Sequence, residues 1–155
     1  MAANFWDTSA LVKLYVAEAG SEQARGLAVS DDIGVSAITA VEFASALRRR
    51  TVIGDLSPDQ SGALYRRFLA DVAGFDVVEL SETVRREAVR LMLGEPRITG
   101  RLRGLDAIQL ATAVVWFEAP RAPNMQPGAF IVADHALREA AVTLGLVVLN
   151  PEDDV

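Results

Sequence analysis

The sequence predicts an α/β fold, one domain in which a parallel five-stranded sheet is sandwiched between helices. Three observations carry that expectation. Five short, apolar segments rich in β-branched residues alternate with helix-like segments, the order that parallel pairing and its crossovers require. These segments read as uniformly apolar, as strands covered on both faces do. The chain has 155 residues, 51% of them hydrophobic and 23% charged, the length and balance of a single globular domain.

Each element can be justified in order. Phe5-Trp6 is the first strand and ends at Asp7. Ser9 to Ala17 places Leu11, Leu14 and Tyr15 on one stripe and reads as a helix, broken by Gly20-Ser21. A second helix spans Glu22 to Val29, Asp31-Asp32 turn the chain, and Ile33 to Ser36 is the second strand. Thr39 to about Thr51 is a helix with Val41, Ala44 and Leu47 on one side, closed before Gly54-Asp55. Ser57-Pro58-Asp59-Gln60 opens the next helix with a capping box and a proline at the first helical position. It runs through Tyr65, Phe68 and Leu69 to about Val72, and Gly74 closes it. Phe75 to Leu80 is the third strand, and Ser81 caps a helix reaching Leu93. Gly94 to Gly104 is an arginine-bearing loop. Asp106 to Phe117 is a helix so nearly apolar that it must be buried. Pro120 to Gly128 holds three prolines and reads as a loop. Ala129 to Ala133, a helix from His135 to Leu144 ended by Gly145, and a last strand from Leu146 to Leu149 complete a domain over residues 1–150. Residues 151–155 form an acidic tail.

Composition removes several chemistries. There is no cysteine, hence no disulfide scaffold, thiolate zinc site, iron–sulfur cluster or thiol nucleophile. A single histidine, His135, excludes a histidine-pair metal site, and its place reads as a plain first-turn helix residue. No basic leader precedes Asp7 and no apolar run approaches the ~20 residues of a membrane span, so a cytoplasmic protein is expected. The net charge is −6, which taken globally argues against nucleic acid. Its distribution differs: residues 85–104 carry six arginines against Glu87 and Glu95, whereas residues 105–155 carry seven acids against Arg121 and Arg138. The one lysine is Lys13.

Ligands of open α/β sheets bind beyond the carboxyl ends of the strands. Asp7 and Asp134 fall at such ends, and Glu42 and Asp106 fall in the first turns of helices. Each has a simpler role available. Thr39 to Glu42 spells a capping box, and Asp7, Asp106 and Asp134 could each cap a helix. Together they make an oxygen-only donor set suited to a hard cation, Mg²⁺ or Mn²⁺, the apparatus of a phosphodiester hydrolase. Arg97, Arg101 and Arg103 flank glycines just before Asp106 and are candidate phosphate contacts. Arg48-Arg49-Arg50 reads as a solvated helix end, and Arg85, Arg86 and Arg90 as helix surface. Trp6 and Trp116 read as core; Met92, Leu93, Phe68 and Tyr65 as core or dimer interface.

Asp7-Thr8-Ser9-Ala10-Leu11-Val12-Lys13-Leu14-Tyr15 resembles the opening motif of PIN domains. Thr39-Ala40-Val41-Glu42-Phe43 resembles their second motif, Leu105-Asp106-Ala107-Ile108-Gln109-Leu110-Ala111-Thr112-Ala113 the third, and Val132-Ala133-Asp134-His135-Ala136-Leu137 the fourth. Order and spacing hold from residue 5 to about 149, in the style of VapC-type toxins. The resemblance implies a three-layer α/β/α sandwich and a Mg²⁺- or Mn²⁺-dependent endoribonuclease that uses activated water and leaves a 5′-phosphate. It implies Asp7, Glu42, Asp106 and Asp134 as the metal-holding acids, with Ser9, or alternatively Thr8, supporting them through a hydroxyl. It also implies an RNA substrate, a homodimer and a cognate VapB-type antitoxin. The fourth motif departs from the family pattern: Val132 stands where Thr or Ser is usual.

Other classes fit less well. A non-catalytic PIN-like module binding RNA or protein would not need all four acids. A nuclease threading structured DNA would need a longer chain. A phosphatase using Asp7 as nucleophile would want an acid at Ser9, and a receiver domain would want a late lysine. A Ser-His-Asp triad would have to use His135, and no nucleophile elbow is present.

Overall fold

The structure, a computed structural model, describes residues 2–29, 31–120 and 126–153. The expected loop from Pro120 to Gly128 falls outside these residues at 121–125, as do Arg121, Asp154 and Val155. Five strands, β1 (Ala2–Trp6), β2 (Asp32–Ser36), β3 (Asp76–Val78), β4 (Gln126–Ile131) and β5 (Val148–Leu149), form one parallel sheet in the order β3-β2-β1-β4-β5. Seven α-helices accompany them among the described residues: α1 (Thr8–Leu11), α2 (Ser21–Ala28), α3 (Thr39–Val52), α4 (Pro58–Val72), α5 (Glu82–Gly94), α6 (Gly104–Glu118) and α7 (His135–Thr143).

The period-2 geometry of the strands divides the core in two. Ala3 and Phe5 of β1, with Phe130 on β4 and Val132 just beyond it, pack against α5, α6 and α7 through residues such as Leu91, Leu110 and Leu137. Trp6, Val35, Ala129 and Ile131 point the opposite way, toward Leu11, Phe43, Leu47 and Phe68. The result is the expected three-layer α/β/α sandwich. Tyr15, Phe43 and Phe68 fill the second layer as an aromatic cluster, with ring centroids 5.1 Å apart for Tyr15–Phe43 and 4.8 Å for Phe43–Phe68. Ser57 and Gln60 make the expected capping box at α4, and Ser81 caps α5 through the Val84 N–H.

Several boundaries differ from the sequence reading. The helix expected from Ser9 to Ala17 is one α-turn followed by a 3-10 turn at Val12–Leu14. It stops there because the chain bends back to satisfy Lys13, which is 3% exposed. The Lys13 ammonium pairs with Glu18 at 2.9 Å and Glu152 at 2.5 Å and donates to Ala19 O. Pro151 is buried, its carbonyl lying where a Cβ at Gly20 would stand, and Asp153 accepts two hydrogen bonds from Arg138. Arg50, expected on a solvated helix end, is partly buried and ion-paired with Glu18. Met92 and Leu93, for which a core position was one expectation, are 52% and 85% exposed. Among the described residues no helix is long and apolar enough to cross a membrane.

β4 begins at Gln126, inside the stretch expected to be a loop, and β1 begins at Ala2 rather than Phe5. The two are joined across an irregularity: Ala3 pairs with Pro127, but Phe5 pairs with Phe130. Asn4 therefore faces two residues. Its Oδ1 accepts the Ala129 N–H at 2.8 Å, and its Nδ2 donates to Asp31 at 2.9 Å. Gly128 fits only because it lacks a Cβ, which would lie 2.1 Å from Ala3 O. Replacing Asn4, which is 4% exposed, by Ala leaves a buried N–H without an acceptor. Asn4→Ala is expected to lower the unfolding free energy by about 1–3 kcal/mol in urea denaturation, with an unchanged m-value.

Candidate functional site

The order of the sheet puts the site in place before any side chain is considered. The chain leaves central β1 toward β2 on one side and later adds β4 on the other, so a crevice opens at the carboxyl end of β1. Asp7 stands in it. Its N–H is held by Ile131 O at 2.9 Å, its side chain accepts the Ser9 N–H at 2.8 Å as the N-cap of α1, and it is 5% exposed. Burial pushes the Asp7 carboxyl from 3.8 up to about 7. Hydrogen bonds from the Ser9 side chain and backbone oppose the rise, and the charges of Glu42 and Asp134 add to it.

Ser9 also binds the end of β4 to that of β1. Its Oγ accepts the N–H groups of Ala133 and Asp134, both at 3.0 Å. A hydroxyl therefore supports the fourth motif although Val132 is fully buried in the core. Asp134 is the N-cap of α7 and accepts the Leu137 N–H at 2.9 Å. His135 follows it as an exposed first-turn residue 3.8 Å from Glu139.

The capping box expected at Glu42 does not form. The N-cap of α3 is Ile38, without a side-chain hydrogen bond, and Thr39 lies inside the helix, fully buried. Phe43, also fully buried, anchors this turn to the aromatic cluster, and Glu42 reaches across the layer. Its Oε2 accepts from Thr8 Oγ1 at 2.8 Å and from Gln109 Nε2 at 2.5 Å. Both hydroxyls named from the sequence thus touch the acidic group, Ser9 beside Asp7 and Asp134, Thr8 beside Glu42.

Gln109 was missed. It lies one turn beyond Asp106 on α6, is 1% exposed, and donates to Thr8 Oγ1 at 3.0 Å and Thr39 Oγ1 at 3.3 Å as well as to Glu42. Its own Oε1 is buried with no hydrogen-bond partner, a defect that costs on the order of 1–3 kcal/mol. The signal was available: one amide in the middle of an otherwise apolar, buried helix.

Asp106 lies on the same helix end, partly buried and engaged by Arg103. It accepts the Arg103 N–H and Nε–H, both at 3.1 Å, while the Arg103 guanidinium reaches within 4.0 Å of Asp134. The other two candidate arginines are not drawn in: Arg97 binds Glu95 at 2.7 and 2.8 Å, and Arg101 is exposed. Glu42 and Asp134 lie within electrostatic reach of Asp7, and Arg103 links Asp106 to Asp134. Among the described residues no three acids are gathered into a ready coordination sphere. The donor chemistry nonetheless fits a hard divalent cation: the set is all oxygen, and a buried carboxylate under like-charge repulsion is the electrostatic defect that such a cation relieves. A groove of about 870 Å³ runs from Ser9, Ala133 and Asp134 along α3 to Arg48 and Arg49.

Comparison with known proteins agrees with this fold. The family model of the PIN domain matches residues 5–115. Among solved structures, the chain is similar to a toxin–antitoxin complex from Klebsiella pneumoniae, with 19% identity, 96% of this chain and 98% of that one covered, and a TM-score of 0.62. It is similar to FitAcB from Neisseria gonorrhoeae, at 16% identity, 96% and 97% coverage and a TM-score of 0.68. It is also similar to VapBC2 from Rickettsia felis bound to a DNA fragment from their promoter, at 12% identity, 96% and 98% coverage and a TM-score of 0.64. No curated protein sequence matches the chain.

The raised Asp7 value has a consequence in metal-free buffer. A carboxyl whose folded pKa lies above its unfolded one adds stability below the unfolded value, and that stability is lost as pH rises through the folded value. The metal-free protein is therefore expected to lose stability between about pH 4 and pH 7 through Asp7. Asp7→Asn, which keeps the cap, is expected to remove this component. It should raise the melting temperature at pH 8 by about 2–4 °C per kcal/mol recovered and leave it little changed at pH 4; thermal melts in EDTA across pH check this.

Proposed function

The chain belongs to the PIN-domain family, and from that premise we propose that it is a divalent-metal-dependent endoribonuclease toxin neutralised by a cognate VapB-type antitoxin. The observation that carries the reading is the Asp7 carboxyl, buried at the carboxyl end of the central strand and faced by Glu42 and Asp134. Asp7, Glu42, Asp106 and Asp134 would hold the cation, Mg²⁺ with Mn²⁺ as substitute. When bound, the cation supplies an activated water and a counter-charge for the phosphate oxygens.

The remaining work belongs to the chain. Ser9 fixes the end of β4 against that of β1, which sets the distance between Asp7 and Asp134. Thr8 holds one oxygen of Glu42. Arg103 provides a phosphate contact on the approach to Asp106. Arg103 is already beside the acids and exchanges Asp106 for a phosphate when RNA arrives. The reading places the protein in the cytoplasm, with its substrate.

The antitoxin is supported by the likeness, over 96% of this chain, to a toxin–antitoxin complex from Klebsiella pneumoniae. The groove that opens at Ser9 and Asp134 supplies a place for an extended segment, and a net charge of −6 suits a basic one. The homodimer is supported by Val89, Met92 and Leu93, exposed at i, i+3 and i+4 on α5. The ion pair between Arg103 and Asp106 favours a second reading, a non-catalytic module that binds RNA or protein.

The deciding experiment incubates a mixed RNA pool with the protein in Mg²⁺, Mn²⁺ or EDTA, beside an Asp7→Asn, Asp106→Asn double variant. Cleavage is expected to require metal, to leave 5′-phosphates, and to fall roughly 10²-fold or more in the variant. Equal cleavage by both proteins, or none in any metal, removes support for the nuclease. Arg103→Ala is expected to weaken RNA binding uniformly across sequences and to reduce the slope of log K against log salt by about 0.7, measured by fluorescence anisotropy at several salt concentrations.

A further inference from the structure

We propose that Gln109 is a positioning residue for Glu42: its buried amide fixes which oxygen of that carboxylate faces inward and leaves the other free for a divalent cation. The inference rests on the reading of Glu42 as a metal-holding residue.

Glu42 sits on a long flexible side chain in the first turn of α3, where nothing on its own helix orients it. The restraint comes from α1 and α6. Thr8 Oγ1 and Gln109 Nε2 both donate to Oε2, and Gln109 donates to Thr8 as well, closing a triangle. Among the described residues Oε1 accepts no hydrogen bond. The orientation of the amide is dictated by its surroundings. An ionised carboxylate only accepts, so the NH₂ group must face it, and turning the amide over would set oxygen against oxygen. That orientation is what strands Gln109 Oε1 without a donor in the apolar interior.

Packing alone does not account for a glutamine here. Leu110, Ala111 and Ala113 beside Gln109 on α6 are fully buried and apolar, and the one buried polar neighbour there, Thr112, returns its hydroxyl to Ile108 O on its own helix. A side chain of similar volume such as Met would fill the position without an orphaned oxygen. What Met could not do is hold Glu42. The arrangement matches the general role of outer groups that orient metal-holding carboxylates.

The test compares wild-type protein with Gln109→Met, Glu42→Gln and the double variant, using thermal melting and calorimetric titration with Mn²⁺. Gln109→Met removes the orphaned oxygen but also the hydrogen bond to the buried Thr39 Oγ1, so it is expected to melt close to the wild-type temperature, yet to bind Mn²⁺ about 10–100-fold more weakly. In the Glu42→Gln background the same change should have no further effect, since its target is gone. The inference is overturned if Gln109→Met leaves Mn²⁺ affinity within about twofold while Glu42→Gln weakens it, or if it weakens binding equally in both backgrounds; in either case the nuclease reading stands. If neither single variant changes Mn²⁺ binding, Glu42 holds no metal, and both the reading of Glu42 and this inference fall. Should Gln109→Met not fold, Gln109→Leu offers a second apolar filling, judged by the same results.

Discussion

One carboxylate denied its water organises this molecule. Asp7 cannot move away from the interior, because its N–H is the last rung between β1 and β4 and its side chain begins α1. Removing a carboxylate from water is costly unless other groups replace the lost hydration. The surroundings answer that requirement only in part. Ser9 gives hydrogen bonds, while Glu42 and Asp134 add charge of the same sign. The fold thus carries an unresolved electrostatic demand at the one place where its sheet leaves a crevice, and stability elsewhere must support it. The two apolar layers, each anchored on alternate residues of β1, provide that support.

The same strand explains why the fold was so legible. Alternating apolar strands and helices can pair only in parallel with crossovers, so the class, the five strands and the layers follow from pattern. Boundaries were harder, for local reasons. β4 was placed too late because Pro127 and Gly128 look like loop residues. They are accommodated by an irregular register that Asn4, far away in sequence, completes. The first helix was drawn too long because apolar periodicity continues past Leu14. A buried ammonium turns the chain there, and periodicity carries no information about its partners.

The acidic residues were legible because each sits at an element boundary, where a charge needs a reason. Their conformations were not. Thr39 to Glu42 has the spacing of a capping box, and spacing cannot tell a glutamate that folds back on its own helix from one that crosses to another. Which occurs depends on Thr8 and Gln109, thirty-four and sixty-seven residues away from Glu42 in the sequence. Gln109 was passed over because a helix read for its apolar face invites the reader to treat one amide as noise. The arginines were grouped by proximity along the chain, whereas the structure separates Arg103, against Asp106, from Arg97, bound to Glu95.

The contact between Lys13 and Glu152 joins residues 139 positions apart. Lys13 follows directly on the short helix that Asp7 begins, so the last turns of the chain brace the floor on which the acids stand. Residues there are usually regarded as expendable, suited to tags, fusions or drift. Here a cut ahead of Pro151 would leave an ammonium group inside the protein with one partner fewer and would uncover Gly20, against which Pro151 is packed. Pro151 and Glu152 are structural supports of the segment that follows Asp7, and Asp153 of α7, and any of them replaced for convenience would be missed there.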